Sequence, residues 1–143
     1  MAAITVSIGI DAPPDRVWSE LADLSSHVSW MEDAVAISFL TVGRQGLSTR
    51  MAVATRFGPF RMTDVMEVTG WEPPRRLAVR HEGLVTGSGE FLLSGALTTT
   101  LLWREQLRFP WYWGGRLTSR AAAPFLRRVW RRNLARLKSK VED

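Results

Sequence analysis

Between residues 34 and 109 the chain alternates apolar and polar positions with a period of two, and short turn signals cut the run at intervals. The signals are VGRQG at 42–46, Gly-Pro at 58–59, EPPRR at 72–76, EG at 82–83 and SGAL at 94–97. Period-two alternation marks strands with one buried face. Connections this short join antiparallel neighbours, because a parallel pair needs a crossover of about a dozen residues or more. The cuts leave six strands in a meander, and no other feature of the chain restricts its fold as far.

The flanks add the remaining elements. AITVSIGI at 3–10 reads as a half-buried strand. IDAPPDRVWSELADL then starts a helix, with Pro14 suited to the first turn and Asp15 to the dipole, while Val17, Leu21 and Leu24 share one apolar face. Ser25 and Ser26 break it. HVSWM predicts a second short helix with Trp30 pointing inward and His27 solvated between the two helices. From about Gly115 to Val141 the spacing is helical again. Leu126, Trp130, Asn133/Leu134, Leu137 and Val141 make a stripe, flanked by arginines. Pro124 is expected to kink or interrupt this helix, since it removes a backbone donor. Strand, two short helices, six strands and a long helix give a two-layer α+β domain spanning 1–143.

Composition narrows the chemistry. The chain has no cysteine, which excludes disulfides, thiolate nucleophiles and cysteine-based metal sites. Its two histidines, His27 and His81, are too far apart for a local zinc motif. Neither a metal nor a cofactor is expected. The N-terminus lacks a basic segment followed by an apolar one, and no apolar run approaches the roughly 20 residues of a membrane span, so a cytoplasmic location is expected. Positive charge is concentrated at one end: residues 116–143 hold nine Lys/Arg against Glu142 and Asp143, whereas the rest holds ten basic and twelve acidic residues.

The element order, with IDAPPDRVWSELADLSSHVSW, WEPPRRL and the closing long helix, resembles the START-like (SRPBCC) superfamily over the whole chain. That group includes bacterial polyketide cyclase/dehydrase-type and lipid-transport-type proteins. The resemblance implies a helix-grip fold: a seven-stranded antiparallel sheet curved around the C-terminal helix, enclosing a cavity for an apolar ligand. Members carry lipids, sterols or polyketides, and a minority are enzymes, so the fold does not choose among activities.

The strand registers point to polar groups on the inward face. In FRMTDVMEV the more apolar file is Phe60, Met62, Asp64, Met66 and Val68. In RLAVRHEG the inward file is Leu77, Val79 and His81, since Arg76, Arg80 and Glu82 must face water. If the EPPRR turn pairs Val68 with Leu77, Asp64 faces His81 within hydrogen-bond reach. In TLLWREQLRF, Glu105 is a further acid in an apolar file with Leu101, Trp103, Leu107 and Phe109. Gly87 and Gly89 share the register of Val85 and Phe91 and leave space for Trp103 or a ligand. Asp64, His81 and Glu105 are the candidates for catalysis, as a general base, but no nucleophile accompanies them. The bland alternative is that these acids are buried and structural.

LRFPWYWGGRL at 107–117 places Trp111, Tyr112 and Trp113 in the turn into the long helix, where Gly114-Gly115 reverses the chain. A hydrophobic flap at one end of the cavity is the favoured role, with core packing or membrane contact as alternatives. Nucleic-acid binding is not expected, because the body of the chain is slightly acidic. The expected ligand-binding residues are therefore Met62, Asp64, Met66, Val79, His81, Phe91, Trp103, Glu105, Trp111 and Trp113. The expected activity is binding of a hydrophobic small molecule such as a lipid or polyketide. A polyketide aromatase/cyclase is the first alternative. The second is a peripheral module whose Arg127, Arg128, Arg131 and Arg132 meet anionic lipid or an acidic partner. A solvated helix face also explains those arginines.

Overall fold

The structure is a computed structural model that describes residues 2–114 and 116–143. Strand β1 (Ala2–Ile10) is followed by helix α1 (Pro14–Ala22) and a 3-10 helix at Leu24–Ser29. Six strands follow: β2 (Ala34–Phe39), β3 (Arg50–Phe57), β4 (Phe60–Glu72), β5 (Arg76–Glu82), β6 (Thr86–Ser94) and β7 (Thr99–Arg108). A 3-10 turn at Trp111–Trp113 leads into helix α2 (Arg116–Glu142). The sheet order is β1-β7-β6-β5-β4-β3-β2, every pair antiparallel. The short connections thus do what their length requires, and β1 closes onto β7 at the far edge. The sheet curves around α2, which is the helix-grip arrangement.

Alternation places the core. Ala2, Ile4 and Val6 of β1 and Leu101, Trp103, Glu105 and Leu107 of β7 are buried, with more exposed residues between them. The α2 stripe of Leu126, Val129, Trp130, Asn133, Leu134, Leu137 and Val141 is buried against them. On the convex face, Arg50 and Arg80 both bridge Glu67 and Glu82, while Glu90 pairs with Arg76 and Arg104. Opposite charges facing across strands add modest stability there and keep that face solvated.

Three expectations change. Helix α2 runs through Pro124 without interruption. Pro124 and Arg120 are exposed, so the carbonyl left without its usual donor faces water, while buried neighbours hold the helix on the other side. His27 is buried at 6% exposure rather than solvated, because the 3-10 helix docks its ring against Trp30 and Phe91. The β4–β5 hairpin extends further than the turn signal suggested: Glu72 pairs with Arg76, and a bulge lies between Val68 and Gly70. Val68 therefore faces Val79, and Met66 faces His81. A shift of two residues exchanges partners but keeps every side chain on its face.

Candidate functional site

A cavity of about 650 Å³ lies between the concave sheet face and α2. Its wall is largely aliphatic and aromatic: Met51, Val53, Met62 and Met66 on one side, with Phe91, Trp103, Leu126 and Trp130 on the other. Trp103 and Trp130 stack at 4.9 Å between ring centroids, and Phe91 lies 5.0 Å from Trp103. Phe57 and Phe125 meet edge to face at 5.9 Å, and half-exposed Phe125 and Trp113 line the cavity from its rim.

The polar groups are few and specifically held. His81 Nε2 lies 2.7 Å from Glu105 Oε2, and the Trp103 indole N–H donates to Glu105 Oε1 at 3.0 Å. Glu105 is buried in the β7 file, opposite Gly89 of β6. A Cβ at Gly89 would overlap the Glu105 carboxyl, so the space the glycine leaves is taken by Glu105 and not by Trp103. Burial works against a charged His81 ring. The attraction of Glu105 and its hydrogen bond outweigh this and hold the His81 pKa above its ordinary value.

Asp64 does not bond to His81. Because Met66 takes the place opposite His81, Asp64 falls beside the β5–β6 turn, where its Oδ1 accepts the Leu84 N–H at 3.3 Å. Burial pushes its pKa up, and the Leu84 donor and nearby His81 only partly oppose this. His27 Nε2 lies 2.8 Å from the Leu21 carbonyl, which accepts its N–H, and burial lowers the ring's pKa.

One polar group was not anticipated. Asp33, immediately before β2, lines the cavity and accepts from Asn133 Nδ2 at 2.7 Å and from the Trp130 indole N–H at 3.4 Å. Burial raises its pKa against the Asn133 bond. Asp33 lies in a segment without periodicity. The available signal was Asn133, a polar residue in an apolar stripe that had to have a buried partner.

Met62, Asp64, Met66, Val79, His81, Phe91, Trp103, Glu105 and Trp113 all lie in the cavity wall. Trp111 does not: it is 84% exposed, and Tyr112 is exposed beside it, so the aromatic turn is neither core packing nor a closed plug. The 3-10 turn aims Trp113 toward the cavity and Trp111 into solvent. Gly114 takes the left-handed conformation at its end, and Gly115 lies outside the described residues. Of the four helix arginines, Arg132 pairs with Glu32 at 3.4 Å, whereas Arg127, Arg128 and Arg131 have no carboxylate partner among the described residues.

Among the described residues no helix is long and apolar enough to cross a membrane. Nor does any group of three or more His, Asp or Glu side chains there have the geometry to hold a metal ion.

Comparison with known proteins gives a family match. Residues 1–142 match the model for "Polyketide cyclase / dehydrase and lipid transport". No curated protein matches the sequence. Among solved structures, TTHA0849 from Thermus thermophilus is 17% identical with a TM-score of 0.83, over 97% of this chain and 96% of that one. The Zhui aromatase/cyclase from Streptomyces sp. R1128 is 21% identical with a TM-score of 0.68, over 98% and 93%. The di-domain ARO/CYC BexL from the BE-7585A biosynthetic pathway is 18% identical with a TM-score of 0.70, over 99% of this chain and 47% of that one. At these identities the likeness is one of fold.

Proposed function

The chain belongs to the polyketide cyclase/dehydrase and lipid transport family, and from that premise we propose that it binds a hydrophobic small molecule in its internal cavity, as a carrier. The observation that carries this reading is a cavity of about 650 Å³ whose largely apolar wall holds a few fixed polar groups, the hydrogen-bonded set of His81, Glu105 and Trp103 among them. Cavities of roughly 300–1,000 Å³ with a few fixed polar groups suit molecules that are mostly apolar and oriented by one functional group. A lipid or a polyketide has that form. Native mass spectrometry of freshly purified protein should show a co-purifying apolar molecule, released on denaturation.

The second reading is an aromatase/cyclase, favoured by a hydrogen-bonded His81–Glu105 pair facing the cavity and by the activity named for Zhui and BexL. Glu105→Gln separates the two, since it keeps the shape of the side chain and removes the carboxyl group. A carrier retains its ligand after this change with a modest shift in affinity. A catalyst that uses Glu105 as its base binds a poly-ketone but loses turnover by about 100-fold or more. We expect the carrier outcome.

The rim of the cavity supports a docking role for the same protein. Trp111, Leu117 and Phe125 are exposed at the start of α2, and Arg127, Arg128 and Arg131 follow. Aromatic side chains beside arginines suit an anionic lipid surface, where each arginine contributes about 1 kcal/mol. Co-sedimentation with phosphatidylglycerol vesicles at low salt should weaken by roughly fivefold for each of Arg128→Gln and Arg131→Gln. It should also fall steeply with salt, because the screening length shortens to about 8 Å at physiological ionic strength. Arg132→Gln should have less effect, its guanidinium being engaged by Glu32. Absence of sedimentation at low salt would assign these charges to a solvated face.

A further inference from the structure

The polar groups of the cavity have a consistent sign. Asp33, Asp64 and Glu105 line it together with His27 and His81, and no lysine or arginine does so among the described residues. Glu90 also contributes to the wall, but its carboxylate is bound by Arg76 and Arg104 on the outer face. His27 is buried with its ring bonded to the Leu21 carbonyl. His81 is matched to Glu105 at 2.7 Å, so an ionised pair is internally neutral. Asp33 and Asp64 can then add only negative charge, or none where they hold a proton. While that pair stands, no protonation state of the two aspartates makes the cavity positive.

The acids are also built into the fold. Gly89 vacates the volume the Glu105 carboxyl fills. Gly83, with φ +140°, does the same for Asp64: a Cβ there would overlap Asp64 Oδ1. Each carboxyl therefore sits in a recess of the neighbouring backbone. The two differ in how they are satisfied. Glu105 is bonded by both His81 and Trp103, and Asp33 by both Asn133 and Trp130. Asp64 receives a single N–H, from Leu84 to Oδ1, and its other oxygen has no protein donor among the described residues. A carboxylate in a largely apolar cavity with half its capacity unfilled is a seat for a donor, and a cationic donor makes the stronger bond to it.

Resting on the cavity-binding reading above, we propose that the cavity selects an apolar ligand bearing a protonated amine, seated on Asp64, over one bearing a carboxylate. The ammonium meets the open oxygen of Asp64 in a surrounding that is neutral or negative throughout, while the apolar tail lies along Met62, Met66, Phe91 and Trp103. A carboxylate head in the same place meets Asp64 with no lysine or arginine in the wall to compensate it among the described residues.

The test uses three straight-chain probes of equal length, dodecylamine, dodecanol and dodecanoate, titrated against the full chain below their aggregation concentrations. Calorimetry or quenching of the buried tryptophans reports binding. Dodecylamine should bind at least tenfold more tightly than dodecanoate, with dodecanol between them. Asp64→Asn, which keeps the acceptor for Leu84, should weaken dodecylamine about tenfold and leave dodecanol within twofold, with folding checked by circular dichroism. Should Asp64→Asn fold poorly, Asp64→Glu in its place should shift amine affinity while leaving dodecanol unchanged. Dodecanoate binding as tightly as dodecylamine, or an amine preference that survives Asp64→Asn, overturns the proposal and leaves the cavity reading standing. No saturable binding by any of the three, with no co-purifying ligand, overturns both.

Discussion

Trp103→Ala should lower the free energy of unfolding by about 3–5 kcal/mol, the range for removing a large aromatic residue from a packed core. Trp103 is buried and touches three aromatic neighbours, stacking on Trp130 and meeting Phe91 and Trp30. Such pairs add about 0.5–1.5 kcal/mol beyond their burial. The indole is also a donor to Glu105, so alanine leaves a buried carboxyl with one partner fewer. Trp103→Phe should cost less: it keeps a ring against Trp130 and Phe91 and removes the N–H together with part of the indole's area, the lost donor accounting for about 1–3 kcal/mol. Urea denaturation followed by circular dichroism measures both. A loss below about 1.5 kcal/mol in the alanine variant would mean that the cavity beside Trp103 collapses to fill the space.

Glu105→Leu should have an effect of similar size, and one that depends on pH. Removing one partner of a buried ion pair costs about 3–5 kcal/mol when the other stays charged. Here the other is His81, whose pKa in the folded protein stands above its ordinary value of 6.5 because Glu105 holds it there. A raised histidine pKa contributes stability that is fully present below the unfolded value and is lost as pH rises through the folded one. The difference between the wild type and Glu105→Leu should therefore be largest below about pH 6 and should shrink on the alkaline side, where His81 is neutral in both proteins. His27 works in the opposite sense. Its lowered pKa contributes stability above 6.5 that is lost as pH falls, but it is common to both proteins and cancels in the difference. Denaturation midpoints measured from about pH 5 to about pH 9 test this. A difference that stays constant over that range would show that His81 is not charged by Glu105.

Which face each strand residue takes was readable because strand alternation has only two outcomes. Met62, Asp64 and Met66, Val79 and His81, and Trp103 and Glu105 all turn inward as their files required. Partner identity across strands was not readable. The pairing of Val68 depends on how far the β4–β5 hairpin continues past Gly70 and on the bulge beside it. Just past the bulge, Trp71 meets Trp18 edge to face at 5.2 Å, a contact between distant parts of the chain that local pattern does not report. For the same reason the acid expected at His81 was Asp64, whereas the structure brings Glu105 there, 24 residues away and two strands over. His27 was misplaced because its burial comes from Phe91, on an element that local spacing cannot bring near it.

The sequence by itself determined the order of elements, the antiparallel meander, the buried stripe of the closing helix and the presence of acids and a histidine on the inner face. Periodicity and turn chemistry are local, and local pattern is enough for these. Only the tertiary structure decided which polar groups meet, that Gly89 and Gly83 make room for carboxyls, that Asp33 is drawn into the cavity by Asn133 and Trp130, and that Trp113 faces the cavity while Trp111 faces water. Those outcomes depend on contacts between residues tens of positions apart, set when the sheet curves around α2, and a period of two or about 3.6 carries no information about them.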